Sequence, residues 1–219
     1  MNIFDVERAR FNMVEQQIRT WEVLDPAVLD LLFTVKREEF VPPEHRGIAF
    51  GDLEIPLGNG QAMWPPKMEA RVLQELQIGA GERVLEIGTG SAYFTALLAA
   101  RGADVTSVEI DARRAAEARA KLARHGFANV QVVEGDGARG FGNDSYDAIV
   151  LTGSTPLLPD RFLQQVNPGG RMFAVVGDPP VMKARMLRWN APGRPVVRDL
   201  FETVVAPLVN ALQPERFTF

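Results

Sequence analysis

With 219 residues, 46% hydrophobic and 24% charged, the chain has the size and balance of one globular domain with an appendage, long enough to bury a core without staples. It has no cysteine, which excludes disulfides, thiolate metal sites and a cysteine nucleophile, and its two histidines, His45 and His125, leave little material for a metal site or histidine acid–base chemistry. The formal charge of −4, with no dense basic run, argues against nucleic acid as a partner. The amino terminus lacks the uninterrupted apolar core of a signal peptide, and no apolar run approaches the ~20 residues of a membrane span. A cytoplasmic setting is the expectation.

In chain order, residues 1–50 read as helical. "RARFNMVEQQIRTW" spaces Phe11, Val14 and Ile18 on one predicted face. In "LDPAVLDLLFTV", Asp25 is the expected N-cap and Pro26 the first helical residue, with "FVPP" at 40–43 as the stop. Residues 47–66, rich in Gly and Pro, read as a long ordered connection that includes "GNGQAMWPPK", a tight turn carrying Trp64. "KMEARVLQELQI" (67–78) is helical again, with Met68, Val72, Leu73 and Leu76 in phase.

From residue 83 strands and helices alternate. "RVLEIG", "DVTSVEID", "VQVVEGD", "YDAIVLTG" and "GGRMFAVVG" are expected strands, and "SAYFTALLAARG", "ARRAAEARAKLARHG" and "PDRFLQQV" the helices between them. That alternation indicates a parallel, doubly wound α/β sheet with helices on both faces. Two further strands around the turn "NAPGRP" are expected to add an antiparallel edge.

"VLEIGTGSAYF" (84–94) is strand, glycine loop and helix start, the arrangement that lets a backbone approach a ligand closely at a helix amino terminus. A nicotinamide-cofactor protein has a similar loop, although the third glycine of that pattern is here Ala92, and a tight turn without ligand is the plainer reading. Three acids favour another ligand. Glu86, in the strand before the glycines, would repel a pyrophosphate but suits the cationic part of S-adenosylmethionine. Glu109 ends the second strand, where a carboxylate accepts both ribose hydroxyls. Asp136 ends the third, positioned for an adenine amino group. Singly each reads as a solvated strand end; as a series they select a methyltransferase over a dehydrogenase.

The chain resembles the protein-L-isoaspartate (D-aspartate) O-methyltransferases over nearly its whole length. The resemblance is carried by "MVEQQI" (13–18), "VKREEFVPP" (35–43), "AFGDLEIPLGNGQ" (49–61), "VLEIGTGSAY" (84–93), "GDG" (135–137), "YDAIVLTG" (146–153), "LLPDRFLQQVNPGGRMFAVVG" (157–177) and "VVAPLV" (204–209). It implies the seven-stranded, mostly parallel doubly wound sheet of class I S-adenosylmethionine-dependent methyltransferases, with an N-terminal helical extension. It implies an N-terminal helical and substrate-loop region at 1–78 and a cofactor-binding core at 79–219. The cofactor residues it implies are Glu86, Gly88, Thr89, Gly90, Ser91, Tyr93, Glu109, Ile110, Gly135, Asp136 and Gly137. The implied activity is methylation of damaged aspartyl carboxylates in peptides or proteins, with Asp52, Gln61, Ala62 and Trp64 at the acceptor side.

At that side the sequence departs from the family. Gly-x-Gly-Gln-Thr-Ile-Ser-x-Pro is here Gly58-Asn59-Gly60-Gln61-Ala62-Met63-Trp64-Pro65-Pro66, so Ala62 and Trp64 replace a threonine and the active-site serine. Three readings follow: a repair methyltransferase, a methyltransferase of that lineage acting on another acceptor such as a small carboxylic acid, and a non-catalytic cofactor-binding protein. The three acids argue against the last. Trp64 reads equally as a packing residue and as a substrate contact. Asp52 also reads as a loop capping group. Trp21 and Trp189 are expected to pack, and the histidines to lie at helix ends.

Overall fold

A computed structural model describes residues 3–190 and 193–215. Helix α1 (Ile3–Asn12) passes into a π-helical turn, Met13–Ile18. Helix α2 (Pro26–Thr34) starts as expected, Asp25 accepting a 2.9 Å bond from Ala27 N with Pro26 at the first position. It stops at Thr34, before the prolines, and short 3₁₀ turns follow at Arg37–Glu39 and Pro43–Ile48. The face expected of Phe11, Val14 and Ile18 is shifted. Val14 and Ile18 are buried, but Phe11 is exposed, because Arg10 takes the inward position to pair with Glu7 and Glu38.

The Gly/Pro-rich segment, expected as a long ordered connection, contains an antiparallel hairpin, β1 (Ile55–Gly58) and β2 (Gln61–Met63). Asn59 and Gly60 have φ of 53° and 72°, the doubly left-handed turn that suits the twist of a two-residue hairpin. Helix α3 (Pro66–Leu76) follows, burying Met68, Val72, Leu73 and Leu76 as the phase predicts.

The remaining elements are β3 (Arg83–Ile87), α4 (Tyr93–Ala100), β4 (Asp104–Glu109), α5 (Ala112–Arg124), β5 (Val130–Glu134), β6 (Tyr146–Thr155), α6 (Asp160–Gln165), β7 (Val166–Asp178), β8 (Val181–Arg188) and β9 (Val196–Thr203). They form a seven-stranded sheet in the order β5-β4-β3-β6-β7-β8-β9. Strands β5 to β7 run parallel; β8 and β9 add the antiparallel edge. Ala191 and Pro192, in the turn expected between β8 and β9, lie outside the described residues.

Successive residues of a strand face opposite sides, which sorts the core into two layers. Val84, Val150, Phe173 and Val175 face the layer holding α3, α4 and α5. Leu85, Ile87, Ile149, Leu151 and Met172 face Phe162 of α6 and Trp189. Glu86 shares the side of Val84, so the alternation that buries β3 also buries its carboxylate beneath α4.

Candidate functional site

The sheet order reverses between β3 and β6, and an open cleft lies at the carboxyl ends of β3, β4, β5 and β6, where ligands bind in such sheets. Its floor is the loop Gly88–Ser91. Gly88 has φ of 99°, and a side chain there would lie 2.3 Å from Thr152 Oγ1. That hydroxyl donates to the carbonyls of Ile87 (2.9 Å) and Gly88 (2.6 Å), locking the loop onto β6.

Glu86 is fully buried, and its Oε2 accepts from the hydroxyls of Thr95 (2.5 Å) and Ser107 (2.6 Å). Ser107 receives in turn from Thr89 at 2.6 Å. Glu86 Oε1 has no partner among the described residues. Burial raises this carboxyl to about 7, against the two hydroxyls, with the charge of Glu109 adding to the rise.

Glu109 is buried and holds the loop from the other side. Its Oε2 accepts from Gly90 N (2.9 Å), and its Oε1 from Asp111 N (3.0 Å) and Arg114 Nε (3.4 Å). Asp136 is exposed, its oxygens receiving Ala138 N (3.0 Å) and Asn210 Nδ2 (2.8 Å). A side chain at Gly137 would press on Ile87, the added carbon lying 2.7 Å from its Cδ1.

The hairpin roofs the cleft through Leu57, Gln61, Ala62, Met63 and Trp64. Gln61 Nε2 donates to Pro207 O at 3.4 Å. Residues 205–208 run along the end of β6 as a strap, with Ser154 N donating to Ala206 O (3.0 Å) and Leu208 N to Ser154 O (2.9 Å). Trp64 is 5% exposed, its ring centroid 5.5 Å from that of Phe94 and 5.8 Å from that of Phe173, and its indole N–H has no partner among the described residues. The tryptophan of the turn is therefore both core and cleft wall.

Of the residues singled out in the sequence, Gln61, Ala62, Trp64, Glu86, Gly88, Thr89, Gly90, Ser91, Glu109, Ile110, Gly135, Asp136 and Gly137 line this one cleft. Asp52 does not; it pairs with Lys67 at 2.6 Å. Nor does Tyr93, whose buried phenol lies under Arg37 and Phe40 with no hydrogen-bond partner. It follows the left-handed turn at Ala92 (φ 69°) that starts α4. His125 closes α5 and stacks on Phe40, and Trp189 is buried.

The cleft also holds residues that sequence reading missed, among them Glu69, Arg114, Thr152 and Leu208. For Arg114 a signal was present: a cation in the first turn of α5 opposes the helix dipole, and so calls for another partner. Glu69 carried none beyond its place near the start of α3. Among the described residues no group of acids and histidines could hold a metal ion, and no helix is long and apolar enough to cross a membrane.

Comparison with known proteins agrees with this geometry. A protein-L-isoaspartate O-methyltransferase of Rhodopseudomonas palustris is 43% identical over 175 residues, covering 80% of this chain and 71% of the relative. One of Koribacter versatilis is 35% identical over 207 residues, covering 94% of this chain and 92% of the relative. Among solved structures, a protein-L-isoaspartate O-methyltransferase superposes with a TM-score of 0.76 at 24% identity, over 90% of this chain and 65% of that one. A candidate protein-L-isoaspartate O-methyltransferase of Plasmodium falciparum, in complex with S-adenosyl-L-homocysteine, gives a TM-score of 0.77 at 16% identity, over 90% of this chain and 97% of that one. These two bear on the fold alone. The family model for protein-L-isoaspartate(D-aspartate) O-methyltransferase matches residues 8–213, and the chain belongs to that family of S-adenosylmethionine-dependent methyltransferases.

Proposed function

We propose that the chain transfers a methyl group from S-adenosylmethionine to a carboxylate, that of an isoaspartyl residue in a peptide or protein. The observation that carries the reading is the lining of the cleft: among the described residues it contains no histidine, lysine, cysteine or tyrosine. A carboxylate, with an ordinary pKa of roughly 4, is already ionised at neutral pH and needs no base to become a nucleophile. Alignment and exclusion of water are then the work left to the protein.

The cleft fits the donor. Glu86 Oε1 is a buried carboxylate oxygen without a partner, which suits an ammonium group. Glu109 has one of its roughly four acceptor positions left for a ribose hydroxyl, and Arg114 stands beside it. Asp136 retains acceptor positions for an adenine amino group. The glycines of 88–90 and 135–137 leave room for a ligand against the backbone. When bound, S-adenosylmethionine supplies a methyl group activated by its sulfonium. Leu57, Met63, Trp64 and Leu208 keep water from the reacting end, and Gln61 is the polar group there that can orient an acceptor. Asp52 and Tyr93 have no role in this scheme.

A second reading, a different acceptor such as a small carboxylic acid, is favoured by one observation. Trp64 stands where the family has a serine, and Ala62 where it has a threonine. The indole is donor only and fills the space beside Phe94 and Phe173. The test is methyl-ester formation on an isoaspartyl peptide, its aspartyl counterpart and a panel of small carboxylic acids. The isoaspartyl peptide is expected to be methylated, but more slowly than by a relative that has the serine. A small acid that outpaces it moves the assignment to the second reading. No ester on any carboxylate rejects both.

A further inference from the structure

We propose that Glu69 belongs to the donor site: together with Glu86 it forms a two-carboxylate receptor for the α-ammonium group of the S-adenosyl ligand, and Arg37 is the positioning residue that holds it there. The inference rests on the S-adenosylmethionine reading and adds a residue that the glycine loop and the strand ends do not contain.

Glu69 comes from the first turn of α3 and Glu86 from the middle of the sheet, yet both line the one cleft, with 2% and 0% of their surface exposed. Neither has both oxygens hydrogen-bonded among the described residues. Glu86 Oε1 has no donor. Glu69 gives Oε2 to Arg37 Nη1, and no donor among the described residues reaches its Oε1. A buried carboxylate oxygen left unpaired, as Glu86 Oε1 is among the described residues, is costly, and beside a second acid it selects a ligand that brings several donors and a positive charge. An alkylammonium has three N–H bonds and does both.

Arg37 does not fill that role itself. It is not part of the cleft lining, and its guanidinium is engaged elsewhere, donating through Nε to Ala49 O (2.9 Å) and through Nη2 to Trp64 O (2.7 Å), and lying 5.3 Å above the Tyr93 ring. Burial raises the Glu69 carboxyl and Arg37 opposes the rise. Burial wins, raising the carboxyl to about 8, and an ammonium group in the cleft would draw it back toward the ionised form. Around them lie Glu86, the Tyr93 phenol, Glu38 and Arg10; the last two pair with each other. The one cation in the cleft lining, Arg114, is held by Glu109 and Asp111. The Glu69–Glu86 end of the cleft thus carries two acids and no free cation.

The test is calorimetric binding of S-adenosylhomocysteine and of its analogue without the α-amino group. The proteins are wild type, Glu69→Gln, and the double variant Arg37→Met with Glu69→Leu, which leaves no buried charge behind if the single variant fails to fold. Glu69→Gln is expected to weaken S-adenosylhomocysteine about tenfold to hundredfold, the worth of one charge-assisted bond, and to leave the analogue unchanged. The double variant should show the same selective loss. Equal losses for both ligands, or none, would overturn the inference while leaving the donor reading intact. Wild type that binds neither ligand would remove the donor reading, and the receptor with it.

Discussion

A single carboxylate, Glu86, joins the packing of the sheet to the chemistry of the cleft. Its folded value of about 7 lies above the ordinary 4.5, because burial outweighs the two hydroxyls. The native state therefore holds this proton more tightly than the unfolded chain does. The stabilisation is fully present below about pH 4.5 and is lost as pH rises through about 7. The gap corresponds to about 3 kcal/mol. The stability of the ligand-free protein minus that of Glu86→Gln, from urea unfolding, should fall by about that amount between pH 4.5 and pH 8. A difference that stays flat would mean that Glu86 does not hold the proton. The acid was legible in the sequence from its place before the glycines. Its missing partner was not, since that depends on Thr95 and Ser107 turning to the same oxygen.

The element that most separates this chain from its family pattern is the hairpin β1–β2 with the start of α3. Its turn is local chemistry: Asn-Gly tolerates left-handed backbone, and two prolines carry the chain into α3. What the hairpin rests on is long-range. Trp64 packs on Phe94 of α4 and Phe173 of β7, and its carbonyl is held by Arg37. Replacing this indole by serine, the family residue, should cost about 3–5 kcal/mol by opening a cavity and burying a hydroxyl. Trp64→Phe should cost less, since it keeps a ring against both partners. Urea midpoints for the two variants check this; a loss below about 1 kcal/mol for Trp64→Ser would show that the ring is not core. The same result sets the terms for restoring the family loop: Ala62→Thr with Trp64→Ser needs compensating volume elsewhere before its activity can be compared.

The whole molecule closes its cleft from three directions: the hairpin above, the strand ends below, and the strap at 205–208 beside them. A ligand that bridges all three should stabilise the fold. S-adenosylhomocysteine at a hundredfold excess over its Kd is expected to add about 2.7 kcal/mol. For a chain of this length that is a rise of roughly 5–10 °C in Tm. Nicotinamide dinucleotides should give no such rise; a comparable one would return the assignment to a dehydrogenase. The alternation of strands and helices, the antiparallel edge, the glycine loop and its acids were all legible in the sequence, because periodicity, caps and turn residues act within a few positions of themselves. The inward turn of Arg10, which leaves Phe11 outside, depended on its finding Glu38, and the pairing of Arg37 with Glu69 spans 32 residues. Gln61 meets Pro207 across 146 residues. Such contacts have no local signature, since a carboxylate or an indole looks alike in sequence whether it meets water, a guanidinium or a ring. Only the packed sheet decided which acids face the cleft together, and that Trp64 would wall it from within the core.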